Sequence, residues 1–233
     1  MDNNIEDGYL ELWTGPMYSG KTSKILELYK QFTFCGISNC VINYEEDNRY
    51  QDSETHLSSH DQIRIPCIRS KTMAEIADIV RVSVSEARAR ANLSVSVSVS
   101  VSEANVSVSA ATPGKYLDKF LASKVILINE GQFFPDIVEW VRTAVDVYNK
   151  KVYICGLDGD FERKSFTGNW LDLTRYCDKI YKLHSFCNKC KKKPAIFSHR
   201  LNQDNTLQKV IGADMYIPLC RKCFLKETSA MTA

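Results

Sequence analysis

The sequence predicts an α/β protein: a parallel sheet flanked by helices, with a small second lobe at the C-terminal end. Two observations predict this fold. Short runs of branched and aromatic residues alternate with longer stretches in which apolar residues recur at helical spacing. After about residue 182 this alternation stops, and two closely spaced pairs of cysteines follow.

The first third of the chain supplies two strands and one clear helix. Tyr9 to Thr14 (YLELWT) is a short apolar run that ends at a Gly-Pro pair, which predicts a buried strand. A helix is expected from Gly20 to about Gly36, because apolar residues at positions 25, 28, 29 and 32 share one face. Asn39 to Tyr44 (NCVINY) predicts a second strand. The polar stretch 45–62 predicts a loop, and residues 71–81 predict a helix.

The middle of the chain continues the alternation. Val125 to Ile128 (VILI) is a buried strand by length and branching, and Asp136 to Tyr148 is a helix with an aspartate at its start. Lys151 to Leu157 (KVYICGL) is a further strand. Right-handed crossovers between such strands give a parallel sheet. Residues 1–181 are therefore predicted as one α/β domain and residues 182–233 as a separate lobe.

Residues 82–112 do not fit this scheme. The string VSVSEA occurs at residue 82 and again at 99, and AN-[LV]-SVS occurs at 91 and 104. Such repetition is typical of a low-complexity insertion. Loops tolerate added length cheaply, which favours a surface insertion. Strict Val/Ser alternation also has the period of a half-buried strand, so a hairpin at a sheet edge is the alternative.

Charge and composition limit the class of protein. The 30 basic and 28 acidic residues leave a formal net charge of +2, so charge alone supports neither a nucleic-acid partner nor a membrane surface. The acidic first residues do not resemble a secretory signal, and no apolar run is long enough to span a bilayer. Nine cysteines, four of them in two C-x-x-C pairs, suggest a metal in a reducing compartment. We therefore expect a cytoplasmic protein.

Residues 15–22 read GPMYSGKT and match the pattern G-x-x-x-x-G-K-[ST] between a predicted strand and a predicted helix. That context separates a phosphate-binding loop (P-loop) from a plain glycine turn, the alternative, and predicts a RecA-like version of the sheet. Lys21 can reach the β- and γ-phosphates of ATP, and Thr22 offers a hydroxyl to Mg²⁺. Phosphate contacts are predicted for Gly15, Pro16, Met17, Tyr18, Ser19, Gly20, Lys21 and Thr22.

The VILI strand runs directly into Asn129-Glu130-Gly131-Gln132. An acid at the end of a strand in a P-loop sheet is where such enzymes place metal-binding and base residues. With this segment the blocks GPMYSGKT, EGQFFPDIVEW, LDGDFERKSF and two C-x-x-C pairs stand in one order, and together they resemble type II thymidine kinases. The resemblance covers most of the chain outside residues 82–112.

The resemblance implies transfer of the γ-phosphate of ATP to the 5′-hydroxyl of thymidine, which makes dTMP for DNA synthesis. Glu130 would be the general base, since the alcohol becomes acidic only as it attacks. Gly131 and Gln132 would line the nucleotide. Asn129 stands where the family usually has aspartate, which leaves its part in metal binding open. The resemblance also places a D-x-R-Y segment at the ATP, and its Asp47, Asn48 and Arg49 would contact the nucleotide. Asp47 would in addition bind Mg²⁺, and Arg49 would offset charge on the phosphoryl group.

The resemblance also implies a nucleoside pocket. Phe161 would stack on the base and Phe166 would border the sugar and methyl group, while Met17 and Leu157 would wall the 5-methyl group. Such a wall discriminates poorly against a nucleoside that lacks the methyl group, so deoxyuridine is expected as a second substrate. A loop over the base, one glycine shorter than the family's, would contribute Gln208, Lys209, Val210, Ile211, Gly212 and, at the sugar 3′-hydroxyl, Tyr216.

The cysteine pairs predict a zinc ribbon. Cys187 and Cys190 form one C-x-x-C knuckle, and Cys220 and Cys223 form the other. Four thiolates close a tetrahedral Zn²⁺ site, which makes the ion structural. A redox-active pair is the alternative, but redox motifs rarely come as two pairs.

Two other interpretations stay open. Lys189, Lys191, Lys192 and Lys193 support a P-loop ATPase with a zinc ribbon that acts on nucleic acid, although the near-neutral charge opposes it. A relative whose chemistry has lapsed would fit Asn129. The resemblance further implies a homotetramer and feedback inhibition by dTTP, with neither nucleic acid nor membrane as a partner.

Overall fold

The computed structural model of the chain describes residues 7–47, 56–58, 63–80, 114–201 and 215–231. The predictions for the repeat-containing insertion 82–112, for Asn48 and Arg49, and for Gln208 to Gly212 lie outside the described residues. The strands, in chain order, are β1 (Tyr9–Thr14), β2 (Asn39–Tyr44), β3 (His56–Ser58), β4 (Arg64–Pro66), β5 (Ile68–Ser70), β6 (Val125–Ile128), β7 (Lys151–Gly156), β8 (Lys179–Lys182), β9 (Ser185–Phe186), β10 (Pro194–Ala195), β11 (Phe197–Arg200) and β12 (Tyr216–Leu219).

Within the described residues, four α-helices accompany these strands: α1 (Lys21–Phe34), α2 (Leu117–Ala122), α3 (Ile137–Asp146) and α4 (Arg221–Met231). Short 3₁₀ helices cover Gly131–Phe133 and Trp170–Arg175. None of the helices in the described ranges combines the length and the apolar composition that a bilayer crossing requires.

Six strands form one sheet in the order β5-β2-β6-β7-β1-β8, and every neighbouring pair in it is parallel. This confirms the predicted parallel α/β sheet. The central strand β6 is buried along its whole length. Its residues alternate between the two faces: Ile126 and Ile128 pack with Trp140 of α3, and Val125 and Leu127 pack with the α1 side. Both faces are thus covered by helices, as a parallel sheet requires.

The prediction of a helix at residues 71–81 is wrong for the described residues 71–80. They form a single turn, closed by the N–H groups of Ile76 and Ala77, which donate to the carbonyl of Met73. The turn is anchored from outside, because the Asp136 carboxylate accepts from the N–H of Met73 at 2.9 Å and of Ala74 at 2.9 Å. Asp136 does precede α3 as predicted, but its side chain makes no hydrogen bond to that helix end.

The predicted loop 45–62 contains a short strand that the sequence did not indicate. Strand β3 pairs with β4 as a small antiparallel hairpin. Only its middle residue, Leu57, is buried, so a run this short shows too little periodicity to be recognised.

Beyond β8 the architecture changes. Strands β9 and β10 pair antiparallel, as do β11 and β12, and α4 packs beside them. Cys187 and Cys220 lie in the small apolar cluster of this region, together with Phe224. We call residues 185–201 and 215–231 the cysteine lobe. Its short antiparallel ribbons explain why the helix–strand alternation stops there.

Candidate active site

The phosphate loop joins the carboxyl end of β1 to the start of α1, where the sequence predicted it. Gly15 has a φ of +151°, and a Cβ on it would lie 2.5 Å from the carbonyl oxygen of Leu183, so the position requires glycine. Lys21 is buried, and its Nζ donates to the carbonyl oxygens of Gly15 at 3.0 Å and Pro16 at 2.7 Å. The ammonium group therefore lies across the loop, where it can meet phosphate oxygens.

A row of hydrogen bonds connects the end of this loop to the carboxyl ends of β6 and β2. The Thr22 hydroxyl donates to Asn129 Oδ1 at 3.4 Å, and Asn129 Nδ2 donates to Asn43 Oδ1 at 2.9 Å. Asn43 Nδ2 in turn donates to the Asp47 carboxylate at 3.4 Å. Oxygen donors of this kind suit Mg²⁺. Thr22 and Asp47, the two predicted magnesium ligands, thus lie at opposite ends of one buried amide pair.

Glu130 follows directly, at the carboxyl end of β6. It has a φ of 55°, in the left-handed region that non-glycine residues seldom adopt and that often marks functional sites. Its side chain is only 6% exposed, and its Oε2 accepts from Gln132 Nε2 at 2.6 Å. A buried carboxylate held by a neutral amide can still accept a proton, which is what a general base requires.

Gln132 also fixes the next strand end. Its Oε1 accepts from the N–H of Leu157 at 3.0 Å, and the Leu157 carbonyl accepts from Trp170 Nε1 at 2.8 Å. A Cβ on Gly156 would lie 2.7 Å from the Trp170 ring and 2.8 Å from Gln132 Oε1. Only glycine permits this close approach, which holds Glu130 and Leu157 in fixed relation through Gln132.

A cavity of about 260 Å³ opens beside these groups. Gln132 supplies polar atoms to its wall, and Phe133 and Phe166 meet edge-to-face with ring centroids 5.8 Å apart. Tyr44 lies against Phe133 at 5.2 Å. Polar and charged residues also line the cavity: Glu46, Lys71, Thr72 and Thr167. Flat apolar walls with a few polar groups are typical of a site for a small aromatic ligand.

Phe161, in the loop after β7, and Tyr216, at the start of β12, both contact Arg200 at the end of β11. The Arg200 guanidinium carbon is 4.0 Å from the centre of the Phe161 ring, and its NH2 donates to the Tyr216 hydroxyl at 2.9 Å. On the same strand as Arg200, the Ser198 hydroxyl accepts from the N–H of Met17 at 3.0 Å. The cysteine lobe therefore contacts both the phosphate loop and the loop after β7.

The four predicted metal ligands converge. The sulfur atoms of Cys187, Cys190, Cys220 and Cys223 all lie within 4.8 Å of one another, and those of Cys190 and Cys220 are 3.9 Å apart. A tetrahedral Zn²⁺ with bonds of about 2.3 Å would set its sulfur ligands about 3.8 Å apart. The cluster therefore fits a zinc ion by distance, number and donor type.

Local backbone groups favour thiolates in the first knuckle. Burial raises the pKa of Cys187, but N–H groups of Cys220, Cys190 and Lys189 outweigh it and lower that pKa to about 6. The N–H groups of the following lysines lower the pKa of Cys190 as well. Burial raises the pKa of Cys223 to about 12, so this ligand depends on the metal for its deprotonation.

Comparisons with known proteins agree with this geometry. The family model described as "Thymidine kinase" matches residues 8–89 and 84–224, which together span most of the chain. The chain belongs to the thymidine kinase family. A thymidine kinase of Variola virus is 29% identical over 221 residues, covering 95% of this chain and 99% of the relative. That of Vaccinia virus, strain Western Reserve, gives the same values. "Thymidine kinase, cytosolic" of Cricetulus griseus is 27% identical over 226 residues, covering 97% and 77%.

For this member of the thymidine kinase family, the structure brings the phosphate loop, Asn129, Glu130 and Gln132 together at the carboxyl edge of the sheet. The sequence did not indicate five further residues that the structure places in contact with predicted site residues. Asn43 was detectable as a polar residue ending a buried strand. Phe133 lies inside a motif already recognised. No local pattern marked the other three: Trp170, Ser198 and Arg200.

Proposed function

We propose that the chain transfers the γ-phosphate of ATP to the 5′-hydroxyl of thymidine and, less selectively, of deoxyuridine. Membership of the thymidine kinase family supports this activity. The observation that carries it is the placement of the buried Glu130 carboxylate and the Lys21 ammonium at the same edge of one parallel sheet. A base and a phosphate-binding cation at the carboxyl edge of one sheet suit phosphoryl transfer to an alcohol.

On the phosphate side, residues 15–22 hold the nucleotide, and Lys21 offsets charge on the transferring group. Asp47, Asn48, Arg49, Asn129, Gly131 and Gln132 complete the ATP-binding set. Mg²⁺, when bound, offsets phosphate charge, and Thr22 and Asp47 are its proposed ligands. Asn129 contributes an amide oxygen in place of a carboxylate, since its Oδ1 already accepts from Thr22 at 3.4 Å.

On the alcohol side, Glu130 takes the proton of the 5′-hydroxyl as the oxygen attacks. Its Oε2 accepts from the Gln132 amide at 2.6 Å, which orients the carboxylate for its role as the proton acceptor. The hydrogen bond from the N–H of Leu157 to Gln132 at 3.0 Å fixes the position of Glu130 relative to the nucleoside pocket. Orientation of this kind is the main contribution a protein makes to such a transfer.

The nucleoside is placed between the loop after β7, which carries Phe161 and Phe166, and the cysteine lobe. Phe166 borders sugar and methyl group, Phe161 stacks on the base, and Met17 and Leu157 wall the methyl group. The covering loop is assigned to residues 208–212, and Tyr216 to the sugar 3′-hydroxyl. Zn²⁺ in the four-cysteine cluster supports this lobe, and we take residues 182–233 as the zinc-binding subdomain beside the kinase domain 1–181.

Further expectations follow from the family. A homotetramer and feedback inhibition by dTTP are carried over as proposals. A cytoplasmic location is proposed as well, and the name of the Cricetulus griseus relative, "Thymidine kinase, cytosolic", supports it. A P-loop ATPase that acts on nucleic acid finds no favouring observation beyond the lysines of the first knuckle.

The deciding assay measures ADP formation with Mg-ATP, with thymidine in one reaction and single-stranded DNA in another. We expect turnover with thymidine and a phosphorylated nucleoside product. ADP formation that responds to DNA alone would replace the kinase with a nucleic-acid ATPase. If folded, zinc-loaded protein forms ADP in neither reaction, the result would support a relative that has lost its catalytic activity.

Substitution of the proposed base sharpens this test. Glu130→Gln removes the proton acceptor with little change in shape, and thymidine turnover should fall by about 10² to 10⁴. The matched control is Glu139→Gln, because Glu139 is an exposed carboxylate on α3 paired only with its neighbour Arg142 in the described contacts. Near-normal turnover of Glu130→Gln would remove this residue from the mechanism.

A further inference from the structure

Two arginine–aromatic contacts join the loop after β7 to the cysteine lobe, and they run in opposite directions. Arg200, in the lobe, stacks on Phe161 of the loop, with its guanidinium carbon 4.0 Å from the ring centre. Arg163, in the loop, lies 5.0 Å from the ring of Phe224 in the lobe. Each side thus contributes one cation and one ring to the other.

The lobe half of this pair is deeply buried. Arg200 is 2% exposed, and its Nε and NH2 donate to the Tyr216 hydroxyl at 3.2 and 2.9 Å. Cation–π contacts strengthen when water is excluded. A phenol oxygen that accepts from a guanidinium keeps its own O–H as a donor. Arg200 therefore fixes the face of Phe161 and, at the same time, the donor direction of Tyr216.

The loop half is held by its own aspartate. The Asp160 carboxylate accepts from the N–H of Glu162 at 2.9 Å and of Lys164 at 2.8 Å. Arg163, between these two donors, has a φ of 66°. This tight turn presents the Arg163 side chain toward the lobe.

The ring that receives Arg163 belongs to the metal-binding cluster. Phe224 packs with Cys187 and Cys220, and Phe197 lies 4.9 Å from Phe224 in the same cluster. The positions of the Phe224 and Phe197 rings therefore depend on whatever holds the four cysteine sulfur atoms together, which in the proposed function is Zn²⁺. A physical path leads from the cysteine cluster to the loop that carries Phe161.

We propose that Arg163 and Arg200 form a clasp through which the zinc-bound lobe positions the nucleoside-binding loop. Both are positioning residues: they set the places of Phe161 and Tyr216 and do not touch the reacting atoms. The proposal rests on the proposed thymidine kinase activity for its kinetic consequence, while the mechanical link from lobe to loop stands on the contacts themselves.

The test compares Arg163→Met and Arg200→Met with Arg221→Met. Arg221 is the matched control, because its guanidinium lies 5.2 Å from the Phe197 ring, while the residue belongs to α4 and so makes this contact within the lobe. With zinc content verified, each clasp variant should raise KM for thymidine about tenfold and leave KM for ATP nearly unchanged. Adding Arg200→Met to Phe161→Leu should raise KM for thymidine little beyond the effect of Phe161→Leu alone, because both substitutions remove the same Arg200–Phe161 contact.

Amide hydrogen exchange of residues 158–166 supplies a readout that needs no substrate. Exchange should accelerate in both clasp variants and in zinc-stripped protein, and stay unchanged in Arg221→Met. Arg163 is exposed, so its variant folds even where loss of the buried Arg200 destabilises the lobe. Unchanged exchange and unchanged thymidine KM in Arg163→Met would overturn the clasp. A wild-type protein inactive on thymidine would overturn the proposed function, and the exchange data would still decide the clasp.

Discussion

The sheet domain and the cysteine lobe are stabilised by different means. Around the sheet, helices cover both faces, and side chains such as Ile126, Leu127 and Trp140 are completely buried. Burying one such side chain contributes about 1.5–3 kcal/mol. The lobe has a cluster of only five buried residues, two of which are the cysteines Cys187 and Cys220. Apolar burial can hold the sheet, whereas a lobe this small needs further stabilisation, which a metal bound by its four cysteines would supply.

This difference matters for function because the site draws on both regions. The sheet edge carries the phosphate loop and Glu130, and the lobe contacts Met17 and Phe161 through Ser198 and Arg200. A substitution that destabilises only one region should therefore change ATP binding and nucleoside binding to different extents.

Loss of zinc is the largest expected effect. Cys220→Ser, or treatment with a strong chelator, should abolish thymidine turnover, because zinc binding contributes about 10–16 kcal/mol to the folding of small zinc domains. Unfolding of the sheet, followed by circular dichroism, should persist as a separate transition, and metal analysis should show zinc lost from the variant.

Cys35→Ser is the control for this experiment, since Cys35 is an exposed thiol outside the cluster. It should keep both zinc and activity. Full turnover by zinc-free protein would contradict the division into a burial-stabilised sheet and a metal-stabilised lobe.

The same contrast explains what the sequence could predict. Strands β2, β6 and β7 were predicted because buried strands in a parallel sheet are continuous apolar runs. Strand β8 was missed, because all four of its residues are exposed at the sheet edge. The cysteine ligands were predicted from spacing alone, since a metal site imposes a fixed local geometry.

Contacts between distant segments could not be predicted in this way. Asn129 and Asn43 are 86 positions apart and meet only because β2 and β6 are neighbours in the sheet. Arg200 and Phe161 meet through the packing of the lobe against the loop. The helix prediction failed over the described residues 71–80 for a related reason: the Asp136 carboxylate accepts from two of their N–H groups and holds them in a turn.

A second prediction concerns polar groups inside the sheet domain. Asn129 is 1% exposed and donates to Asn43 Oδ1 at 2.9 Å. Asn129→Asp removes that donor and places a carboxylate against an amide oxygen, so unfolding free energy should fall by about 1–3 kcal/mol. Added Mg²⁺ should restore much of the loss, because the new charge lies beside the Thr22 hydroxyl.

Thermal unfolding with and without added Mg²⁺ checks this expectation. Asn39→Asp is the matched control, because Asn39 lies at the opposite end of β2 and donates to Thr33 and Ile37. Its destabilisation should not respond to Mg²⁺. A Mg²⁺ response of equal size in both variants would argue against a metal site at the Thr22 edge.

The smallest expected effect concerns a buried cation in the sheet domain, where no metal offsets the charge. Lys150 is 8% exposed, and its Nζ donates to the carbonyl oxygens of Leu121 at 2.9 Å and Ser123 at 2.7 Å. Burial lowers the pKa of Lys150 to about 8 from an ordinary value of 10.5. Between these values the folded state has released a proton that the unfolded state still holds, so this group adds stability as pH rises through that window.

Urea unfolding of wild type and Lys150→Met, at pH values below about 8 and near 10, measures this contribution. Because one pKa unit corresponds to about 1.4 kcal/mol, the stability difference between wild type and variant should shift in favour of wild type by about 2 kcal/mol across the window. Lys30→Met, at an exposed position of α1, should show no such shift. Parallel curves for wild type and Lys150→Met would mean that the two carbonyl acceptors keep the ammonium charged, and that the sheet domain accommodates a buried cation by hydrogen bonding alone.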